Sequence, residues 1–147
     1  MRKFKRRIEN LTDYQSRLKL LRGGTTRFVV RHSNRYIYAQ LIEYGKEGDV
    51  VLAQANSKEL LGYGFPSAST SNTTAAYLTG LLAGLRAKKK GVEKAVLDAG
   101  LSVVTKGSRT LAALSGAVDA GIDIPHDPSS VSKDRVDDKY TEKITEP

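Results

Sequence analysis

The stretch from Thr74 to Lys89 constrains the fold of this chain most, because its Tyr77, Leu78, Leu81, Leu82 and Leu85 recur with helical spacing and make a broad apolar face. A face that wide has to lie against the rest of the chain. Asn72-Thr73-Thr74 offers a cap for the first turn, Lys88-Lys89-Lys90 suits the C-terminal end of the helix dipole, and Gly91 stops the helix. Gly80 and Gly84 sit four residues apart inside it, each at a cost of about 1 kcal/mol relative to alanine. That cost predicts a second element whose backbone approaches closely. Ala75 to Leu85 is the longest mostly apolar stretch and is too short to span a bilayer, so the glycine pair is not read as a membrane dimer motif and no membrane partner is expected.

Around this helix the chain alternates strand and helix signals. Leu11, Tyr14, Leu18 and Leu21 recur at three- and four-residue steps, with Thr12 or Asp13 as cap and Gly23-Gly24 as stop, which predicts a short amphipathic helix. Arg27 to Arg31 and Tyr36 to Tyr44 are rich in β-branched and aromatic residues and are joined by His32-Ser33-Asn34-Arg35, so they read as an antiparallel hairpin. After the Gly45-Lys46-Glu47-Gly48 turn, Asp49 to Ala55 extends this into a three-stranded meander. From Asn56 to Ser71 the periodicity fades into loop, with room for one short helix at Ser57 to Leu61. Lys94 to Asp98 reads as a buried strand, Ser108 to Ala120 as a second apolar helix stopped by Gly121, and Ile122 to Pro125 as extended chain. Beyond His126 there are few apolar groups, so this segment needs a partner to order it.

With 147 residues the chain is expected to hold one domain of α+β class. Its sheet is a meander extended to a mixed sheet with helices on one face, and its C-terminal tail is loosely ordered. The expected division is a basic arm and short helix at 1–24, a core at 25–125 and a tail at 126–147.

Charge is distributed unevenly along this chain. Residues 1–35 hold eleven basic and two acidic side chains, and the remainder is close to neutral within an overall charge of +8. The basic residues continue from the arm (Arg2, Lys3, Lys5, Arg6, Arg7) into the first helix (Arg17, Lys19, Arg22) and the hairpin (Arg27, Arg31, Arg35). Such a field points to a polyanion, held by phosphate contacts that release counterions. With no cysteine, disulfide scaffolds, thiolate metal sites and cysteine nucleophiles are excluded. The basic N-terminus lacks a following apolar segment, so no secretory signal is read and the chain is expected in the cytoplasm.

Catalysis has little support. His32 and His126 are far apart in sequence and accompany no catalytic motif, and Asp98, Asp119 and Asp123 read as solvated or capping carboxylates rather than metal ligands. Thr105-Lys106-Gly107-Ser108-Arg109 runs into a helix N-terminus and reads either as an ordinary capped start or as a cradle for a nucleic-acid phosphate. Its spacing is not that of a nucleotide P-loop. Tyr36, Tyr38 and Tyr44 share strand parity opposite Ile37, Ala39 and Leu41. They either face outward, where bases can stack on them, or pack under loops. A phosphate-ligand enzyme centred on 105–109 and a general DNA-binding protein are the rival readings.

Five blocks in unbroken order carry a resemblance. They are Thr12-Asp13-Tyr14-Gln15-Ser16-Arg17-Leu18-Lys19-Leu20-Leu21, Val29-Val30-Arg31-His32-Ser33-Asn34-Arg35, the run from Asn72 to Ala83, Thr105 to Arg109, and Gly116 to His126. From about Lys5 to His126 the chain resembles the archaeal and eukaryotic branch of the large-subunit ribosomal protein family that binds 5S ribosomal RNA, the L-eighteen family. The resemblance implies a structural, non-enzymatic role without cofactor or metal. It implies 5S rRNA, large-subunit rRNA and neighbouring ribosomal proteins as partners, with 5S rRNA attached at the central protuberance. By position it implies RNA contacts from Arg2, Lys3, Lys5, Arg6, Arg7, Arg17, Arg22, Arg31, Ser33, Asn34 and Arg35. Tyr14 and Tyr36, together with Lys106, Ser108 and Arg109 of the helix-start loop, complete the expected RNA-binding set.

Overall fold

Alternation between buried and more exposed side chains along residues 37–43, beside a wholly buried run at 27–30, produces a sheet with one apolar face. The computed structural model describes residues 2–131 and 138–145. Its strands are β1 (Arg27–His32), β2 (Ile37–Glu43), β3 (Val50–Asn56) and β4 (Val96–Asp98), in the order β3-β2-β1-β4. The first three form an antiparallel meander, and β4 joins β1 in parallel with Arg27 opposite Val96 and Val29 opposite Asp98. β4 is shorter than the Lys94 to Asp98 strand expected from composition. Lys94 instead makes an isolated parallel bridge to Asp123, in the extended chain after the last core helix.

The helices are α1 (Lys5–Ile8), α2 (Tyr14–Arg22), α3 (Thr73–Lys89), α4 (Arg109–Asp119) and α5 (Asp138–Thr145), with short 3-10 turns at Ser57–Tyr63, Ser67–Ser69 and Pro128–Ser130. Local chemistry sets most starts. Asp13, Asn72 and Ser108 each accept hydrogen bonds from backbone N–H groups of the first turn, and Asn56 with Glu59 forms a capping box at Ser57–Tyr63.

Phe28, Val30, Ile37, Ala39, Leu41, Ala53 and Ala55 line the buried sheet face beneath α3 and α4. The close approach predicted at the α3 glycines is met by α4. A Cβ on Gly80 would lie 2.7 Å from the carbonyl carbon of Ala113, and one on Gly84 would lie 2.6 Å from Ala120 Cβ. Gly116 of α4 reciprocates, its Cβ position falling 2.7 Å from the Leu81 nitrogen. Backbone therefore packs on backbone, with Leu78 and Leu114 fully buried beside the crossing. Arg86 leaves the far side of α3 to donate to the Gln54 carbonyl on the outer side of β3 and to the Glu59 carboxylate.

Two expectations are corrected here. No α2 residue is buried, and the face predicted from Leu11, Tyr14 and Leu18 points largely to solvent. Of the predicted four only Leu21 turns toward the body, together with Leu20 and with Arg17, which lies 3.4 Å from Asp49. Asp98 is not a solvated carboxylate but a buried one, and Asp119 accepts a hydrogen bond from the Tyr77 hydroxyl at 2.6 Å. In the segment after His126, Ile144 is buried against the core and the Tyr140 ring meets Phe65 edge-on with centroids 5.1 Å apart. Those apolar groups find their partner within the chain. No helix among the described residues is long and apolar enough to cross a membrane.

Candidate nucleic-acid interface

Cations of the first 35 residues fall into two groups. Arg2, Lys3, Arg6, Arg7, Lys19, Arg22 and Arg35 are exposed, and among the described residues none has a carboxylate within ion-pair distance. Lys5 makes only a long 3.9 Å pair with Glu9 along α1. A second group is built into the body of the molecule. Arg17, Asp49, Arg27, Asp98 and Arg31 form a ladder of alternating charge, with contacts of 3.4, 2.8, 3.1 and 3.2 Å in that order.

Arg27 anchors this ladder, its side chain only 4% exposed. Its parity on β1 turns it away from the apolar face, toward the two carboxylates brought in by the β2–β3 turn and by β4. Removing either carboxylate leaves a buried guanidinium under-compensated, which costs about 3 to 5 kcal/mol in comparable buried pairs. Three arginines against two aspartates leave the ladder with net positive charge.

The β1–β2 hairpin tip is braced rather than loose. The Ser33 hydroxyl accepts from the backbone N–H groups of Arg35 and Tyr36, while the Ser33 and Arg35 carbonyls accept from Ser71 and Thr70 hydroxyls at 2.8 and 2.7 Å. Asn34 and Arg35 stay exposed at the tip, and Tyr36 is half-buried. Tyr38 stands exposed on the sheet face that α3 and α4 do not cover, and Tyr44 is exposed just past the end of β2.

Residues 105–109 lie next to the same tip. Ser108 caps α4 through the Leu111 N–H, and Arg109 donates to the Ser71 carbonyl and hydroxyl and, at 3.1 Å, to His32 Nδ1. Since arginine has only donors, this contact makes Nδ1 an acceptor and leaves the proton of neutral His32 on Nε2, 3.5 Å from the Ser102 hydroxyl. Burial, and then the Arg109 charge, hold the His32 pKa below its ordinary value. Thr105 and Lys106 remain exposed. The loop therefore reads first as a capped helix start whose arginine braces the hairpin.

The arm, α2 and the segment after β4 enclose a cleft of about 770 Å³, lined by Arg6, Arg17, Lys19 and Arg31 with the hydroxyls of Thr12, Ser16 and Ser102. Asp13 also lines it, its charge spent on capping α2 and its pKa lowered chiefly by the Ser16 hydroxyl. Sequence reasoning missed Asp49, Asp98 and Gly100 because their role exists only once β4 lies beside β1. Among the described residues no cluster suited to a metal ion is found.

The sequence matches the family described as "Ribosomal large subunit proteins 60S L5, and 50S L18" over residues 1–93 and 86–127. It is 51% identical over 145 residues to the large ribosomal subunit protein uL18 of Korarchaeum cryptofilum, covering 98% of this chain and 74% of that protein. Identity to uL18 of Haloarcula marismortui is 54% over 122 residues, covering 83% of this chain and 65% of the relative. For uL18 of Halobacterium salinarum it is 48% over 148 residues, covering 97% and 80%. The chain thus belongs to the L18 family of ribosomal large subunit proteins, whose members are structural components and not enzymes.

Proposed function

We propose that this chain is a structural constituent of the large ribosomal subunit in the cytoplasm, serving translation by binding 5S rRNA and helping to attach it to the central protuberance. Large-subunit rRNA and neighbouring ribosomal proteins complete its surroundings. The observation that carries this reading is the set of seven exposed cations of the first 35 residues with no carboxylate in ion-pair distance among the described residues, spread over the arm, α2 and the hairpin tip. Names of the relatives, all large ribosomal subunit proteins, support the assignment.

In this reading residues 1–24 are the basic arm with its short helix, 25–125 the RNA-binding core that presents the hairpin, and 126–147 the C-terminal tail. Arg2, Lys3, Lys5, Arg6, Arg7, Arg22 and Arg35 neutralise phosphates, while Arg17 and Arg31 do so from the cleft. Ser33 and Asn34 bond to RNA at the tip, and Tyr14 and Tyr36 supply rings for stacking. Lys106 reaches RNA from the loop, with Ser108 and Arg109 offering the capped helix start beside it.

Filter binding of the full chain to a 5S rRNA transcript across salt tests this. The nine cations assigned to phosphates, at one contact each, give a slope of roughly −6 to −8 in log affinity against log salt. Deleting residues 2–7 is expected to flatten it and weaken binding. Salt-independent binding, unchanged affinity after the deletion, or equal affinity for duplex DNA at matched salt overturns the reading.

A further inference from the structure

Arg31 is held in an unusual way for a half-exposed arginine. Its Nη1 donates to the carbonyls of Val30 and Asp98 at 2.9 and 2.8 Å, and Nη2 donates to Asp98 Oδ1 at 3.2 Å. The same Oδ1 accepts from the Gly100 N–H at 3.0 Å, and Oδ2 accepts from buried Arg27. Gly100 adopts φ of +63°, and a Cβ there would lie 2.8, 2.9 and 3.0 Å from Cζ, Nη2 and Nε of Arg31. Near-equal distances to three atoms of one plane mean that the guanidinium lays its flat face over the glycine. Any side chain at position 100 displaces it.

Three of the five guanidinium N–H groups are thereby committed inside the protein. One N–H on Nε and one on Nη2 remain, at the cleft that Arg6, Arg17 and Lys19 also line. The side chain is 47% exposed, so these donors can reach a ligand without first giving up their internal contacts. Adjacent N–H groups held in one plane match two oxygens of a phosphate, and fixing them beforehand lowers the ordering cost of binding.

Resting on the RNA-binding reading above, we infer that Asp98 and Gly100 are positioning residues of the interface: together they fix Arg31 as a preorganised fork for one RNA phosphate. Asp98 ties the fork through Arg27 to the sheet, and Gly100 supplies the flat seat. The Asp98 charge does not cancel the fork, because Arg27 shares it.

The test is filter binding of full-length variants to a 5S rRNA transcript across salt, with urea unfolding of each variant in parallel. Arg31→Ala is expected to weaken binding about tenfold and to reduce the salt slope by about 0.9, one phosphate contact. Gly100→Ala displaces the end of the Arg31 side chain and also puts alanine in the left-handed region at φ of +63°, so it is expected to reproduce most of that loss with a lowered urea midpoint in a chain that still folds. Arg31→Ala combined with Gly100→Ala should then bind no more weakly than Arg31→Ala alone. Asp98→Asn is expected to weaken binding in the same way, and its unfolding curve separates this from loss of fold. Multiplying losses in the double variant, or wild-type binding by Gly100→Ala beside a weakened Arg31→Ala, overturns the positioning role. So does wild-type binding by Arg31→Ala, and if deletion of residues 2–7 still weakens binding the RNA reading itself stands. Absence of salt-dependent binding by the unmodified chain overturns both.

Discussion

Replacing Gly80 by alanine puts a methyl group where α3 meets the backbone of α4. The Cβ would stand 2.7 Å from the Ala113 carbonyl carbon, so regaining ordinary contact at 3.4 Å moves the helices apart by roughly 0.7 Å, and the Ala113 oxygen demands more. No rotamer change relieves a clash with main chain, which puts the overpacking cost near the upper end of its usual range, about 3 kcal/mol. Alanine returns about 1 kcal/mol through helix propensity, leaving a net loss of about 2 kcal/mol. For a domain of this size that lowers the melting temperature by about 4 to 8 °C. Urea unfolding of the full chain followed by far-ultraviolet circular dichroism would show a midpoint about 1 M lower, taking an m-value of about 2 kcal/mol/M. Gly116→Ala clashes across the same crossing, where its Cβ would meet the Leu81 nitrogen at 2.7 Å. One separation serves both, so the double variant is expected to lose less than the sum of the singles. Gly62, with no atom near its Cβ position, is the control and should tolerate alanine. A Gly80→Ala protein as stable as the parent, or stabilised by the propensity gain, would refute the backbone-contact argument.

Other perturbations probe different parts of the molecule. His32 binds its proton less readily folded than unfolded, so its contribution to stability is full above about pH 6.5 and is lost as pH falls through that value toward the lower folded pKa. Imidazole NMR titration should place His32 below an ordinary histidine, with Arg109→Met moving it upward; an unshifted titration contradicts the burial and charge argument. Ser57→Ala removes the hydroxyl that accepts from the buried Ile37 N–H at 2.9 Å and should cost about 1 to 3 kcal/mol in urea unfolding. Ile144→Ala should cost about 2 kcal/mol in urea unfolding, and an unchanged midpoint contradicts the docking of α5 on the core.

Features set by neighbours along the chain could be read before any coordinates. The caps at Asp13, Asn72 and Ser108 each reach only two or three residues ahead, and the Gly80–Gly84 spacing announced a close helix contact without naming α4 as its partner. Strand parity told Ile37, Ala39 and Leu41 from Tyr38 because the pleat alternates strictly. What failed needed contacts distant in sequence. Arg27 and Asp98 lie 71 residues apart, and nothing local marks Asp98 as buried until β4 pairs in parallel with β1. The seam of α2 was misread for a related reason: what lies against it, Asp49 beside Arg17 included, arrives from distant segments, and Leu11, Tyr14 and Leu18 find no cover. At the candidate interface, the inventory of cations was legible but their division into spent and available donors was not. Residues 105–109 read from sequence as either a capped start or a phosphate cradle, and the Arg109 partners Ser71 and His32, which arrive from two other segments, could not be read locally.

Arg86 has a further consequence through its grip on the Gln54 carbonyl. β3 borders the sheet on one side, so its outward backbone groups would otherwise template pairing with a second molecule. By occupying that carbonyl and setting a cation across the border, Arg86 makes intermolecular strand addition unfavourable. β4, on the opposite border, offers only three residues for a stray strand to grip. One occupied acceptor on β3 and a three-residue β4 thus shorten the run of backbone with which a second copy could pair.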